Sequence, residues 1–354
     1  MNRVKLTIGI PTFNRPLPLK NTIDKLLEEF TSHEEMFEIL VCDNGDNRLD
    51  FKTLDHPNHQ IRHLVNEENL GLSGNIERLI LNARGEYIWL LSDDDIVMKD
   101  SLVNLLNQIK GITFDCGLLS FGDKNGLKSN NFFDGESIGI DSQLVFDSIW
   151  RDFIFISVAV FKVDTAKEIL KIIEAKKIVN FTYPQLIMVF IFASKSYRFK
   201  LFNGIKVLDS QPSKKYSIEG AFKVRIRDLV LLIEQSKLVG IKNRDLKDLN
   251  NYVKSSIINS LIASVLDLNS KQNIKFLIKL EYRQIVNQPL RFRLNFCIAL
   301  AMILQMFSLV SIKLLRKILL SLLFLLHKGY VKDRMWHEES SEAAGHNYHD
   351  YDNH

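Results

Sequence analysis

Three adjacent carboxylates, Asp93, Asp94 and Asp95, stand one residue after the apolar, strand-forming run Tyr87–Leu91. Three negative charges within a few ångströms repel one another unless a cation or water offsets them. Carboxylate oxygens suit Mg²⁺ or Mn²⁺, which keep some waters and take further ligands from substrate phosphates. An acidic turn that caps the following helix is the alternative, since Asp is a good N-cap.

Strand and helix patterns alternate through the first hundred residues, which is how these carboxylates would be positioned. The predicted elements are strand Val4–Ile10, helix Leu19–Phe30, strand Phe37–Cys42, strand Ile61–Val65, helix Ile76–Ala83 and strand Tyr87–Leu91. This alternation predicts an α/β fold with a mostly parallel sheet that is buried on both faces. Ligands of such sheets bind beyond the carboxyl ends of the strands.

Polar residues occupy three of those carboxyl ends. Thr12–Arg15 follow the first predicted strand, Asp43 follows the second, and Asp93–Asp95 follow the last. Because the ends of parallel strands meet at one edge of a sheet, we expect the three clusters to converge there.

Composition restricts the class of protein. A chain of 354 residues with 46% hydrophobic and 25% charged residues is long enough for about two folded domains. A net charge of +4 is too mild to indicate a nucleic-acid partner.

The cysteines, Cys42, Cys116 and Cys297, lie far apart without metal-site spacing, which favours reduced thiols in the cytoplasm. The first strand pattern begins almost at once, so we expect no signal peptide.

Five short motifs follow one another through the first hundred residues. They are Ile8-Gly9-Ile10-Pro11-Thr12-Phe13-Asn14-Arg15, Glu38-Ile39-Leu40-Val41-Cys42-Asp43-Asn44-Gly45, Asn69-Leu70-Gly71, Ala83-Arg84-Gly85-Glu86-Tyr87-Ile88 and Leu91-Ser92-Asp93-Asp94-Asp95. In this order and spacing they resemble the motifs of family 2 glycosyltransferases with the GT-A fold, the nucleotide-sugar-dependent enzymes that build bacterial surface polysaccharides. The resemblance covers about the first 100 residues.

The resemblance implies a GT-A nucleotide-diphospho-sugar transferase fold, with a Rossmann-like sheet, followed by a C-terminal helical region. It also implies that Asp43 hydrogen-bonds the base of the donor. The catalytic cluster Asp93, Asp94 and Asp95 would hold the Mg²⁺ or Mn²⁺ that bridges the diphosphate. The residues expected to bind the nucleotide-sugar are Pro11, Thr12, Asn14, Arg15, Asp43, Asn69, Gly71 and Asn75.

Two departures from the family pattern concern the donor site. Ser92 stands at the first Asp position of the commoner Leu-Asp-x-Asp-Asp motif, which favours Asp94 as a direct metal ligand and Asp93 as a ribose or metal contact. The usual Ala-Arg-Asn run after Asn69 is absent, and Asn75 and Arg78 stand nearby instead. The pattern Asn69-x-Gly71 to Asn75, followed by Tyr87-Ile88-Trp89 and the three aspartates, resembles the subgroup that includes abequosyltransferase-like O-antigen enzymes.

A third departure concerns the general base. Where the family often has an acid just ahead of a helix, this chain has Pro184-Gln185, and an amide does not accept a proton usefully. Asp123 and Asp152 are substitutes, each expected to be a surface residue. The run Phe153–Phe161 is predicted as the acceptor-side strand. The base, and with it an inverting or retaining outcome, stays open.

We predict a catalytic domain at 1–215 (donor half 1–100, acceptor half 101–215), a helical region at 216–335 and a disordered tail at 336–354.

Residues 271–335 contain twelve Lys or Arg and two acidic residues. They include Leu294–Ile312, 19 uncharged residues, near the ~20 needed to cross a bilayer. Helices lying on an anionic membrane surface, a soluble helical core or oligomer face, and a true span are the alternatives.

The expected function is transfer of a sugar from a nucleotide diphosphate to a polyprenyl-linked oligosaccharide at the cytoplasmic face of the inner membrane. A nucleotidyltransferase is one alternative, but it would need a Gly-rich loop and a Lys after the first strand, and Pro11–Arg15 contain no Gly. A catalytically silent scaffold of a polysaccharide-assembly complex is the other.

Overall fold

The computed structural model describes residues 4–28, 37–51, 61–123, 126–127, 138–178, 183–208 and 228–253. These residues all belong to one compact unit, Met1–Ser260. The predicted membrane-associated segments and the tail from residue 336 lie outside them, so these expectations and the domain boundary at 215 stay predictions. Within the part described, no helix is both long and apolar enough to cross a membrane.

Ten strands of the described residues form a single sheet with helices packed against it. The strands are β1 Leu6–Thr12, β2 Phe37–Asp43, β3 Ile61–Val65, β4 Tyr87–Leu90, β5 Ile96–Val97, β6 Cys116–Asp123, β7 Gly126–Leu127, β8 Ile138–Ile140, β9 Ala159–Lys162 and β10 Phe199–Leu208. The helices are α1 Pro16–Glu28, α2 Gly71–Asn82, α3 Ser101–Ile109, α4 Ser142–Asp147, α5 Val163–Ala175, α6 Pro184–Ser194 and α7 Asp228–Leu238. Two short 3₁₀ helices, Ile149–Ile154 and Ile156–Val158, and a helical segment at 247–253 complete the described elements.

The strand order is β3-β2-β1-β4-β9-β6-β10-β5, with β7 paired to β6 and β8 to β10. Strands β3, β2, β1 and β4 are mutually parallel, and β6 is parallel to β10. Strand β9 is antiparallel to both β4 and β6 and joins the two groups. Every residue of β1 and β2 is buried, as expected for strands covered on both faces.

The register of the parallel strands brings the predicted polar clusters to one edge. Thr12 of β1 is paired with Asp43 of β2, and Gly9 of β1 with Leu90 of β4. Leu91 continues the ladder because its N–H donates to the carbonyl of Gly9 at 3.0 Å. The chain then turns, so the aspartates follow β4 at the same edge where β1 and β2 end.

Helix α1 packs beneath this edge. Pro16 is its first residue, a position where the fixed φ of proline favours the first helical turn. Leu19, Ile23 and Leu26 recur at helical spacing and are buried. Thr22 lies on the same buried side and is thereby brought under the aspartate loop.

Three predicted elements begin more than two residues away from the observed ones, and the first is helix α1, which begins at Pro16 and not at Leu19. Helix α2 begins at Gly71, whose φ is +68°, and not at Ile76. Only 159–161 of the predicted strand Phe153–Phe161 is strand, in β9, and most of the preceding residues form 3₁₀ helices. There the chain turns to bring Ser157 against β4, where the carbonyl of Ser157 accepts a hydrogen bond from Trp89 Nε1 at 2.8 Å. Apolar content alone does not distinguish such a turn from a strand.

Candidate functional site at the carboxyl edge of the sheet

The loop Ser92–Asp95 carries the three carboxylates and is fastened to helix α1. Thr22 Oγ1 donates to the carbonyl oxygen of Asp93 at 3.0 Å and to that of Asp95 at 3.3 Å. Asp93 and Asp95 are almost fully buried, whereas Asp94 is partly exposed. These bonds fasten the backbone of the loop to α1, and Asp94 is the carboxylate most open to solvent.

Arg15 joins two of these carboxylates. Its Nη1 donates to Asp93 Oδ1 at 2.8 Å, and its Nη2 donates to Asp94 Oδ2. Thr12 Oγ1 donates to Asp93 Oδ2 at 2.6 Å, and Ser92 Oγ donates to Asp94 Oδ1 at 2.7 Å. Each carboxylate oxygen of Asp93 and Asp94 therefore accepts a hydrogen bond from the protein.

Arg15 remains a cation in this position. Burial alone would lower the pKa of its guanidinium, but the bond to Asp94 and the charges of Asp93, Asp94 and Asp95 raise that pKa above its ordinary value. Two carboxylates thus face one positive charge in a partly buried setting, where charge–charge interactions are stronger than in water.

Asp95 has different surroundings. Its Oδ2 accepts a hydrogen bond from Ser157 Oγ at 2.5 Å, and the same hydroxyl accepts from the backbone N–H of Ser92 at 2.9 Å. Asp95 therefore ties the loop to the 3₁₀ segment Ile156–Val158, while Asp93 and Asp94 are bridged by Arg15.

The donor set fits a divalent metal through two carboxylates. Within the described ranges, no group of three or more His, Cys, Asp or Glu side chains could hold a metal ion. Mg²⁺, however, is commonly bound by one or two carboxylates together with phosphates and water. Asp93 and Asp94, which already place one oxygen each against a single cation, meet that requirement. The predicted ligation by all three aspartates stays a prediction.

Asn14 links the loops that follow β1 and β2. It has a positive φ of 54°, a conformation that Asn tolerates better than most residues. Its Oδ1 accepts hydrogen bonds from the backbone N–H groups of Asp46 and Asn47, both at 2.9 Å. Gly45 is required for this approach, because a Cβ there would lie 2.5 Å from Asn14 Oδ1. Pro11, also predicted to bind the donor, is a buried residue of β1 paired with Cys42.

Asp43, the residue expected to read the base, is buried at the end of β2. Its Oδ1 accepts from the backbone N–H of Gly45 at 2.8 Å, and its Oδ2 lies 3.4 Å from His63 Nε2. The distance would allow a hydrogen bond but the orientation of the two groups does not, so the buried Nε2 has no hydrogen-bond partner among the residues described. Burial lowers the pKa of His63, against the opposing effect of Asp43. The His63 ring packs on Phe51, with centroids 4.4 Å apart.

A network of asparagines connects the strand ends. Asn66 Nδ2 donates to Asn44 Oδ1 at 2.6 Å and to Asn75 Oδ1 at 2.7 Å. Asn75 Nδ2 donates to the carbonyl of Thr12 at 3.2 Å, and Arg78 donates to Asn66 Oδ1. Asn75, expected to bind the donor, is nearly inaccessible and ties α2 to β1. Sequence reasoning assigned no role to Asn44 or Asn66, although Asn44 lies in the motif that contains Asp43 and Asn66 directly follows the predicted strand Ile61–Val65.

Asn69 and Gly71 shape the start of α2. Asn69 Oδ1 accepts from the backbone N–H of Gly71 at 2.9 Å, and the Gly71 carbonyl accepts from Asn44 Nδ2 at 3.0 Å. Both residues therefore lie next to the asparagine network, at the same edge of the sheet.

Gln185, at the position of the expected acid, is buried in the first turn of α6. Its Nε2 donates to the carbonyls of Phe153 and Ile154 at 2.9 and 3.2 Å. Its Oε1 accepts no hydrogen bond from any described residue. The expectation that Asp152 is a surface residue is wrong, because its exposed fraction is 2%. The side chain of Asp123 lies outside the described part.

Comparisons with known proteins agree with this geometry. The family model described as glycosyl transferase family 2 matches residues 7–203. Among curated proteins, the chain is 31% identical over 107 residues to abequosyltransferase RfbV of Salmonella typhimurium, a match covering 28% of this chain and 31% of RfbV. It is 29% identical over 116 residues to galactofuranosyltransferase GlfT2 of Mycolicibacterium smegmatis, covering 29% of this chain and 17% of GlfT2. The matched segment thus spans less than a third of either relative.

Solved structures share the fold. The crystal structure of S. aureus TarS 1–349 matches with a TM-score of 0.51 at 13% identity, covering 74% of this chain and 80% of that one. Mannosyltransferase PcManGT from Pyrobaculum calidifontis, in complex with GDP-Man and Mn²⁺, matches with a TM-score of 0.50 at 14% identity, covering 87% and 88%. These likenesses confirm the GT-A fold predicted from the sequence.

Proposed function

The chain belongs to glycosyl transferase family 2, and we propose that it transfers a sugar from a nucleotide diphosphate to a hydroxyl of a lipid-linked oligosaccharide. The observation that carries the proposal is the pair Asp93 and Asp94, which share one guanidinium at the edge where β1, β2 and β4 end. A nucleotide diphosphate requires a cation site of this kind, because its phosphates carry the charge that the cation offsets.

We propose that Asp93 and Asp94 hold Mg²⁺ or Mn²⁺ together with the donor diphosphate. When bound, the metal would offset the charge that develops on the leaving diphosphate. Thr12 keeps Asp93 oriented, and Ser92 keeps Asp94 oriented, each through a short hydrogen bond to a carboxylate oxygen. Asp95 contributes indirectly by fastening the loop to Ser157.

The nucleoside would lie on the β2 side of the edge. Asp43 Oδ1 accepts a hydrogen bond from the backbone N–H of Gly45, and Asp43 Oδ2 faces His63, so the carboxylate is already oriented. An N–H of the base would compete with these two groups for a carboxylate oxygen. Asn14 and the asparagine network hold the surrounding loops in place before the donor arrives, which reduces the ordering cost of binding.

The acceptor and its membrane location rest on the sequence. The basic residues between 271 and 335, combined with Leu294–Ile312, suit an anionic membrane surface where a polyprenyl-linked acceptor would be found. Gln185, where the family often has an acid, donates through its amide to the carbonyls of Phe153 and Ile154 and offers no carboxylate. A proton acceptor for the sugar hydroxyl therefore has to come from another residue or from the acceptor itself.

The absence of a carboxylate at Gln185 is also the observation that favours the second candidate, a catalytically silent scaffold. Assaying hydrolysis of nucleotide-sugars with and without Mn²⁺ separates the two. A transferase should release nucleoside diphosphate slowly in the presence of the metal, whereas a scaffold should release none. A nucleotidyltransferase would instead form or consume pyrophosphate. A thermal-shift screen of nucleoside diphosphates with Mn²⁺ would identify the base.

A further inference from the structure

Arg15 has a position that donor binding alone does not explain. The family resemblance places it among the nucleotide-binding residues, yet its guanidinium donates to Asp93 and to Asp94, the carboxylates proposed to hold the metal. We infer that Arg15 is a built-in counter-cation that a divalent metal must displace, so that the metal binds tightly only together with the donor diphosphate. This inference rests on the proposed function.

The first step concerns the available oxygens. Asp93 Oδ1 and Asp94 Oδ2 accept from Arg15, while Thr12 and Ser92 occupy the other two oxygens at 2.6 and 2.7 Å. Thr12 and Ser92 are neutral donors that can remain in place when a metal binds. The oxygens that face a shared cation are those that Arg15 holds, so a metal bridging the two carboxylates takes the place of the guanidinium.

The second step concerns charge. The side chains of Asp93 and Asp94 are 4% and 13% exposed, and that of Arg15 is 30% exposed. In such a partly buried site, a guanidinium and a divalent cation within a few ångströms of each other would repel strongly. Removing every cation would leave two carboxylates uncompensated, which is costly in a buried setting. Arg15 and the metal are therefore alternatives.

The third step concerns movement. Arg15 lies between β1 and α1, and its carbonyl is held by the backbone N–H of Leu19 at 3.1 Å. The side chain can therefore turn away while the backbone stays in place. A guanidinium released from the aspartates is a planar, bidentate donor suited to phosphate oxygens. A diphosphate that arrives with the metal offers it a new partner, and this couples metal binding to donor binding.

The experiment measures Mn²⁺ binding by calorimetry or by electron paramagnetic resonance, with full-length protein and no nucleotide. In Arg15→Gln, Mn²⁺ should bind about tenfold more tightly than in the wild type, since the competing cation is gone. Arg15→Lys, which keeps the charge without the bidentate geometry, should fall between them. Lys20→Gln, which removes the partly buried ion pair with Asp24 on α1, is the matched control and should not change Mn²⁺ affinity.

Adding nucleoside diphosphate provides the second measurement. UDP, GDP and CDP are the probes, and the one that binds should tighten Mn²⁺ binding more in the wild type than in Arg15→Gln. Near-UV circular dichroism checks that each variant is folded. If Arg15→Gln does not fold, the comparison is made with Arg15→Lys. Equal or weaker Mn²⁺ affinity in the folded variants, with Mn²⁺-dependent nucleotide binding retained, would overturn the inference and leave the proposed function standing. Failure of every protein to bind Mn²⁺ even with nucleotide would overturn both.

Discussion

The edge of the sheet and the region around helix α6 differ in how they use polar groups. At the edge, short polar side chains from the strand ends and from α2 bond to one another, and the bonds of Asn66 to Asn44 and Asn75 are representative. Around α6, ten consecutive residues from Pro184 to Ala193 are buried, and Gln185 is the polar one among them. Ligand chemistry is therefore concentrated where strands end, whereas the α6 region provides a packed support.

The largest effect should come from the edge. Asp94→Asn should lower transfer by on the order of 10²–10³, because it removes one of the two charges that hold the metal against the diphosphate. Stability should change little, since Arg15 retains its bond to Asp93. Transfer is measured with the donor identified by thermal shift. Asp24→Asn on α1 is the control, and near wild-type turnover in Asp94→Asn would contradict the metal assignment.

An effect of comparable size is expected when basic residues beyond the compact unit Met1–Ser260 are replaced. It should fall on membrane binding, and donor binding should not change. Replacing Lys313, Arg316 and Lys317 by Gln should weaken binding to anionic vesicles by about 1 kcal/mol per charge, and added salt should mimic the change. A chain truncated before Arg291 should leave the membrane yet still bind donor. Full-length protein that ignores anionic vesicles would instead favour a soluble core or an oligomer face.

A smaller effect is expected at the nucleoside side. Asp43→Ala should weaken donor binding about ten- to hundred-fold, since a hydrogen bond to a charged group contributes about 1.5–3 kcal/mol. The dissociation constant is measured by calorimetry in the presence of Mn²⁺. Asp43→Asn, which keeps the shape and the acceptor for Gly45, separates the loss of charge from loosening of the loop. An unchanged constant in both variants would rule out the role.

The smallest effect is expected from the α6 region, and it should fall on stability. Gln185→Ala leaves the carbonyls of Phe153 and Ile154 without their donor and should lower the free energy of unfolding by about 1–3 kcal/mol. Donor affinity should stay unchanged. Chemical denaturation measures the first quantity and calorimetry the second, with the exposed Gln143→Ala on α4 as the control. A selective loss of donor binding in Gln185→Ala would contradict the view that the α6 region supports the fold without taking part in ligand binding.

The strands of the edge could be predicted because their signal is local. Strand β3 has the predicted bounds, and β1, β2 and β4 differ from prediction by two residues or fewer at each end. A continuous apolar run that ends in a polar cluster indicates a buried strand whatever surrounds it. The 3₁₀ helices at 149–158 were missed because their signal is not local, since Ser157 turns there to meet Asp95 and Trp89.

The sequence by itself determined the family, the alternation of strands and helices, and the position of the aspartates after β4. These depend on residue types at short spacing. Only the tertiary structure decided that Arg15 lies on Asp93 and Asp94, that Asp95 turns to Ser157, and that Asp152 is buried. Each of these contacts joins residues far apart in the chain or depends on packing, and the direction of a side chain is set by the partners that the folded sheet brings within hydrogen-bond distance.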